Sequence, residues 1–442
     1  MDRPVQGRLV PWIVLGLLSA MFFGNSYVYD SIGPVADLLQ TERGFSDSQI
    51  GMLNAIYSLP NVVLVLVGGL LVDRWGAGRV LLASNAICFA GALLTAFGAD
   101  YGAMASGRLL FGIGAETMNI AITVAAVDWF AGGSIAFAMG MTLAIGRLGS
   151  WAADMSPTWF AGAYAAGWQP PLAIAAALGG GAMLAAIAYW RFDAARDGAA
   201  RATREAHPRI TLADVREFGR PYWYLLTLCV LWYAVILAFR STFSIKYFQH
   251  AHGLPLADAG AMNSYVFLAA LFATPAFGWL CDRTGRYSGM LLFGAALLPV
   301  ALAIMAWTDW TLWVATVLIG VSYSMVPAVM WPLASRLVPT ARFGTALGLM
   351  WVVQNAGIAA ANLVAGWLND RAGASAANPA GYQPMMEFFG VASALGFVFA
   401  LLLWFMAGRR RQRRESGRLC ADDGVLRCRQ RAGRGVRRAA LA

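Results

Sequence analysis

The sequence predicts an all-α polytopic membrane protein of twelve transmembrane helices, arranged as two six-helix bundles with both termini cytoplasmic. Three observations predict it. Of 442 residues, 59% are hydrophobic and only 13% charged, where a soluble domain carries about 25% charged residues. Apolar runs long enough to cross a ~30 Å hydrocarbon core recur from end to end. The longest polar stretch, Arg191 to Arg220 with seven arginines, falls midway and parts the runs six from six.

In order, the expected spans are 10–30, 48–71, 79–98, 103–127, 134–156, 171–190, 222–244, 257–280, 288–306, 311–333, 344–368 and 385–407. The first is too long for a signal-peptide core and lacks a small-residue cleavage pattern, so it stays as a membrane helix. Residues 1–190 are read as an N-terminal bundle, 191–220 as a cytoplasmic linker and 221–408 as a C-terminal bundle. Residues 409–442 are read as a disordered basic tail, too charged and too poor in apolar residues to form a core. Its first arginines would anchor the last helix to anionic headgroups of the lipid bilayer.

Charge placement sets the orientation. Of 33 Lys and Arg, three fall on one side (Arg43, Lys246, Arg371), three lie within spans (Arg108, Arg147, Arg240), and the rest share the opposite side. Basic loops stay in the cytoplasm, which places the chain N-in and C-in in a cell membrane, of the bacterial inner type. The net charge of +10 is therefore topology and implies no nucleic-acid partner. No Ser/His/Asp set, phosphate-cradling loop or metal-ligand cluster stands out, so neither an enzyme, a cofactor nor a metal is expected. Cys88, Cys229, Cys281, Cys420 and Cys428 show no ligand spacing, and His207, His250 and His252 fall in expected loops, most simply solvated.

The stretch from Gly107 to Gly149 carries two charges deep in apolar surroundings, Glu116 and Arg147. At 1.5 Å rise per residue, Glu116 lies ~18 Å from the Asp128 end of its span and Arg147 ~20 Å from the Ser134 end of the next. Charges at mid-membrane are costly and are normally paired or turned to a cavity. The two form either a salt bridge between consecutive helices or a site for a ligand bearing both signs. Asp30 and Asp154 lie near the outer ends of their spans and are read as mouth residues.

An internal repeat follows. Gly69-Leu-Leu71-Val-Asp73-Arg74-Trp-Gly76 and Gly278-Trp-Leu280-Cys-Asp282-Arg283-Thr-Gly285 match at an offset of 209 residues, in corresponding loops of the two halves. This resembles the signature loop G-x-L-x-D-R-x-G of the major facilitator superfamily over about residues 8 to 407. The resemblance implies the major facilitator fold, two bundles rocking around a central cavity. Asp73, Arg74, Asp282 and Arg283 would then be gating residues that bridge the cytoplasmic face when the transporter opens outward.

Further stretches are similar to the lysosomal dipeptide uniporter family of that superfamily. They include Tyr27-Val-Tyr29-Asp30, Tyr57-Ser-Leu-Pro60-Asn61, Phe111-Gly-Ile-Gly-Ala-Glu116, Gly146-Arg147-Leu-Gly149-Ser150, Asn263-Ser264, Trp331-Pro332 and Gln354-Asn355. The resemblance implies dipeptide transport, with Glu116, Arg147 and Trp331 at the ligand backbone or its termini. The chain departs from the pattern at Ile122-Thr123, where the animal members carry Gln-Asn, and at Arg240.

The residues point the same way unaided. A zwitterionic peptide needs a cation for its carboxylate and an anion for its amine; Arg147 offers a bidentate fork and Glu116 accepts from an ammonium. Tyr233, Gln354 and Asn355 count to mid-depth and offer neutral hydrogen bonds. Trp331 counts toward the cytoplasmic third, as a pocket floor or inner gate, and Tyr57 and Asn263 toward the outer half, as an outer gate; Tyr29 joins this candidate substrate-binding set. A carboxylate neutralised by an arginine has no need of a proton, so a Glu116–Arg147 pair predicts uniport rather than proton symport. The alternative is an organic-anion or drug carrier that uses Arg147 alone.

Overall fold

The computed structural model describes residues 9–130, 134–196, 215, 217–308, 310–339 and 342–407. The expected tail, His207 and most of the expected linker lie outside the described residues. Almost everything described is helical, because a segment in hydrocarbon must satisfy its own backbone N–H and C=O groups.

The first half contains α1 (Val10–Asp30), α2 (Ile32–Arg43), α3 (Asp47–Ser58), α4 (Asn61–Trp75), α5 (Ala77–Phe97), α6 (Tyr101–Phe130), α7 (Ile135–Trp159), the short α8 (Ala161–Ala165) and α9 (Gln169–Arg196). The second contains α10 (Arg220–Ala238), a π-helical turn (Phe239–Phe243), α11 (Ser244–His252), α12 (Leu256–Thr284), α13 (Tyr287–Trp307), α14 (Leu312–Leu337), α15 (Phe343–Ala372) and α16 (383–407). Ten segments are long and apolar enough to cross a membrane by length and composition. The two expected spans outside that set are also helical: one as α3 and α4, broken at Leu59-Pro60, the other as α7.

Two expected spans end too early. The first runs on through α2 to Arg43 and the seventh through α11 to His252. Hydropathy falls off along these extensions because they carry Asp37, Glu42, Arg43, Lys246 and His250, yet the helices continue where those groups find partners. Gly44, in the left-handed region at φ 67°, closes α2, and a Ser46–Gln49 capping box starts α3. The last glycine of each repeat motif has the same use: Gly76 (φ 82°) ends α4 and Gly285 (φ 62°) ends α12. That conformation is cheap only for glycine, which explains why the motif closes on Gly.

Each half builds its own core. One core runs from Phe218 through Trp232, Ile319, Met350 and Phe389; two others, around Ile50 and Phe111 and around Leu18 and Met118, belong to α1–α9. Between the halves, α3 packs on α15 and α7 on α12. The end at which α9 stops and α10 starts is called the linker face below, and the opposite end the far face.

Small residues set the helix spacing. A methyl group on Gly149 would run into the Phe23 carbonyl, and one on Gly146 into the Phe22 ring. These glycines flank Arg147 and let α7 lie close on α1, fixing the arginine's direction. Gly149→Val should therefore lower thermal stability by about 1–3 kcal/mol, the usual cost of overpacking, as read by a melting curve in detergent.

Candidate functional site

At mid-depth the structure brings Asn61, Glu116 and Asn355 together. The Asn61 amide donates to Glu116 Oε1 at 2.8 Å and to Asn355 Oδ1 at 3.1 Å, linking the two halves. Asn61 opens α4 just after the Pro60 break, which aims its side chain across the seam. Arg147 Nη1 donates to the Ala270 carbonyl at 3.3 Å and to the Thr274 hydroxyl of α12, and its guanidinium lies 5.4 Å from the Tyr323 ring centroid.

The expected Glu116–Arg147 pair is not formed among the described residues. Rise counting gives height along a helix but not which helices adjoin. Here α6 packs on α5, α4 and α3, whereas α7 packs on α1 and α12, so these consecutive helices barely meet. Both charges are held by neutral groups instead.

Around them, Trp331 stacks on Trp351 with centroids 5.4 Å apart, and Tyr233 lies edge-on to Trp232 at 4.8 Å. Gln354 is buried and accepts from the Cys229 thiol at 3.5 Å, while Asn355 Nδ2 is tied to the Trp351 carbonyl. Tyr29 and Tyr57 face one another at 4.6 Å beside Arg108. Arg108 is wholly buried and donates to the carbonyls of Val28, Tyr29 and Leu53 and to Asn54 Oδ1. Cys88, Cys229 and Cys281 are buried thiols that form no disulfide among the described residues, and no metal-ligand cluster occurs among them either.

The far face is sealed by polar links between the halves. Arg240, on the π-turn, donates from Nη1 to Asp30 Oδ1 at 2.6 Å and from Nη2 to Asp154 Oδ2 at 2.5 Å, with all three side chains at 3% exposure or less. Asn263, the one candidate site residue that joins this cluster, donates to Asp154 Oδ1 at 3.0 Å. Next on the same turn, Thr242 accepts from Asn54 at 2.7 Å and donates to Asn362 at 2.6 Å. Lys246 pairs with Asp47 at 2.6 Å. The Asp370 carboxylate accepts from the Asp47 and Ser48 amides at the start of α3, where the helix dipole favours an anion.

His250 corrects the expectation of a solvated loop histidine. It contacts Asp37 of the first half at 2.8 Å and the Tyr382 hydroxyl at 2.7 Å. His252 is half-buried as well. Both fall inside α11, past the point where hydropathy ended the span.

The missed cluster did leave a signal. Counted from Val10, Ile135 and Arg220, Asp30, Asp154 and Arg240 all lie ~30 Å along their helices. Three charges at one height, two acidic and one basic, deserve the same treatment as Glu116 and Arg147. At the linker face, Arg74 and Arg283 are exposed, with Arg283 5.1 Å from the Trp279 ring; Asp73 is exposed too, and the Asp282 side chain lies outside the described residues. Glu217 pairs with Arg342, and that hydrogen bond holds the Glu217 carboxyl below its ordinary value.

The sequence pattern of the Major Facilitator Superfamily matches residues 18–361 and 235–421. The chain belongs to the major facilitator superfamily. It is accordingly a multi-pass membrane transporter of that superfamily and not an enzyme. Among its relatives, the lysosomal dipeptide transporter MFSD1 of Homo sapiens is 29% identical over 417 residues, covering 89% of this chain and 86% of that protein. The Bos taurus protein of the same name is 30% identical, covering 89% and 85%. A probable sulfoacetate transporter of Cupriavidus necator is 24% identical, covering 66% and 70%. The major facilitator fold is shared with the nucleoside transporter NupG (TM-score 0.74, 14% identity, 88% of this chain and 99% of that one). It is also shared with a bacterial homologue of the human lysosomal transporter Spinster (TM-score 0.70, 17% identity, 91% and 98%).

Proposed function

We propose that this transporter moves dipeptides by alternating access, with Glu116 taking the amino terminus and Arg147 the carboxylate. One observation carries the reading. Both mid-depth charges stand at the seam, held by neutral groups rather than by each other, so a zwitterion binding there does not have to break an ion pair. Similarity to dipeptide transporters over 89% of the chain supports the substrate class.

Trp331, Tyr233, Gln354 and Asn355 would line this site, and Tyr29 and Tyr57 would border it toward the far face. Asn263 belongs to the far gate. We place the linker face in the cytoplasm, on the side favoured by most Lys and Arg. Residues 1–190 and 221–408 would rock against one another, with Asp73, Arg74, Asp282 and Arg283 engaging when the far face opens. Transport is read as uniport on the family resemblance alone, since the Glu116–Arg147 pair that also favoured it is not formed among the described residues; a dipeptide-driven proton flux that disappears in Glu116→Gln would overturn it.

A second reading has its own support. Arg147 has no carboxylate partner among the described residues, and one relative is a probable sulfoacetate transporter. Such an organic-anion carrier would use Arg147 alone. The two are separated by melting curves of the purified protein against dipeptides, amino-blocked dipeptides, and small carboxylates and sulfonates. A ligand that binds only the folded state stabilises it by RT ln(1 + [L]/Kd), so millimolar binders register at high concentration. Dipeptides should raise the melting temperature and amino-blocked peptides should not. Silence with dipeptides and a response to the anions would establish the second reading.

A further inference from the structure

We propose that Asp30 and Asp154 form a docking site for the substrate's ammonium group when the far face is open, and that Arg240 is the internal cation filling this site when the face is closed. The inference rests on the dipeptide reading above and adds to it a second place of recognition, away from Glu116 and Arg147.

The geometry divides unequally between the halves. Asp30 on α1 and Asp154 on α7 belong to the first half, on helices that pack together. Arg240, which bonds one oxygen of each, and Asn263, which bonds the other Asp154 oxygen, belong to the second. Any motion that parts the halves here removes the guanidinium and the amide together. Two carboxylates are then left on one wall of the opening. Arg108 acts on Asp30 through its charge but gives these carboxylates no hydrogen bond, because four of its five N–H donors are taken by the carbonyls of Val28, Tyr29 and Leu53 and by Asn54.

Carboxylates in such a place need a cation and hydrogen-bond donors. A peptide's ammonium supplies one positive charge and three N–H donors, matching the charge of the guanidinium and the three hydrogen bonds that Arg240 and Asn263 together give the two carboxylates. Arg240, held 3.9 Å from the Phe267 ring centroid, stays on the facing wall, where its freed fork suits the ligand's carboxylate. The ligand thus replaces both sides of the contact that it separates. The Asp47–Lys246 ion pair and the Asp37–His250 hydrogen bond are arranged the same way, carboxylate on the first half and nitrogen on the second.

The test reads opening of the far face. Ser241 is buried at the seam, its carbonyl accepting from Asn54 and its hydroxyl from Arg240 Nη1 at 3.1 Å. Ser241→Cys, which keeps a weak acceptor there, therefore reports access of a membrane-impermeant thiol reagent added from the far side. With the native cysteines replaced by serine, it is the parent of every variant below. Free dipeptide should accelerate labelling severalfold and N-acetyl dipeptide should not. Methylammonium should accelerate it more than sodium at equal ionic strength. In Asp154→Asn both effects should disappear while the dipeptide melting shift, and its weakening on Arg147→Ala, persist. Asp30→Asn is the second variant; each leaves one carboxylate to one guanidinium, a neutral closed seam that should fold.

Acceleration by free dipeptide that survives in both variants, or equal acceleration by sodium, overturns the docking site while the dipeptide reading stands. If dipeptides neither shift melting nor change labelling in the parent protein, the dipeptide reading falls and the docking site with it.

Discussion

Arg240→Ala is expected to destabilise the far-closed state by about 3–5 kcal/mol, the usual cost of removing one partner from a buried ion pair. The upper end is expected, because this cation serves two carboxylates, each 2% exposed. A far-side reagent should label Ser241→Cys at its maximal rate without ligand, and transport should fall at least tenfold. The cause can be isolated. Arg240→Met combined with Asp30→Asn and Asp154→Asn removes every charge, and replacing a whole buried ion cluster by neutral residues is often close to neutral in stability. If this triple variant labels as fast as Arg240→Ala, stranded charge is not the origin of the effect.

Arg147→Ala should weaken the dipeptide melting shift strongly at any fixed ligand concentration. A hydrogen bond to a charged group contributes about 1.5–3 kcal/mol, equivalent to a ~10–150-fold loss of affinity. Glu116→Gln should act differently. It keeps an oxygen to accept from Asn61 but loses the negative charge, so free and amino-blocked dipeptides should bind alike. In the Asp154→Asn background, which lacks the far docking site, unchanged preference for the free amine in Glu116→Gln would show that Glu116 does not read it.

The helical membrane architecture was largely legible because it rests on quantities that a sequence carries directly: length of apolar runs and a motif repeated at a fixed offset. The terminal glycines of that motif have their reason only in the structure, where Gly76 and Gly285 both adopt positive φ as a helix stops. The site was legible only in height. Glu116, Arg147, Tyr233, Gln354 and Asn355 are placed by rise counting, but azimuth and helix adjacency are set by packing. That is why Glu116 meets Asn61 and not Arg147. Lys246 and His250 were hidden for a different reason. A hydropathy window stops at polar residues, while the helix continues as long as those residues find partners across the seam. Arg240 was visible as an intramembrane charge, yet its two aspartates lie in segments 86 and 210 positions away, with no local signal to join them.

The π-turn at Phe239–Phe243 has a consequence for tolerance to insertions and deletions. Such a turn fits one more residue than an α-turn, so everything after it is rotated by roughly 100° relative to an unbroken helix. Lys246 and His250 meet the first half only with that rotation in place. Loss of a single residue anywhere in the turn would leave the hydropathy profile almost unchanged and restore a regular seventh helix. It would also swing α11 by more than a quarter of a circle and carry its two polar contacts with the first half out of the seam. Substitutions within the turn change one contact, whereas a change of length there resets the phase of the whole far gate.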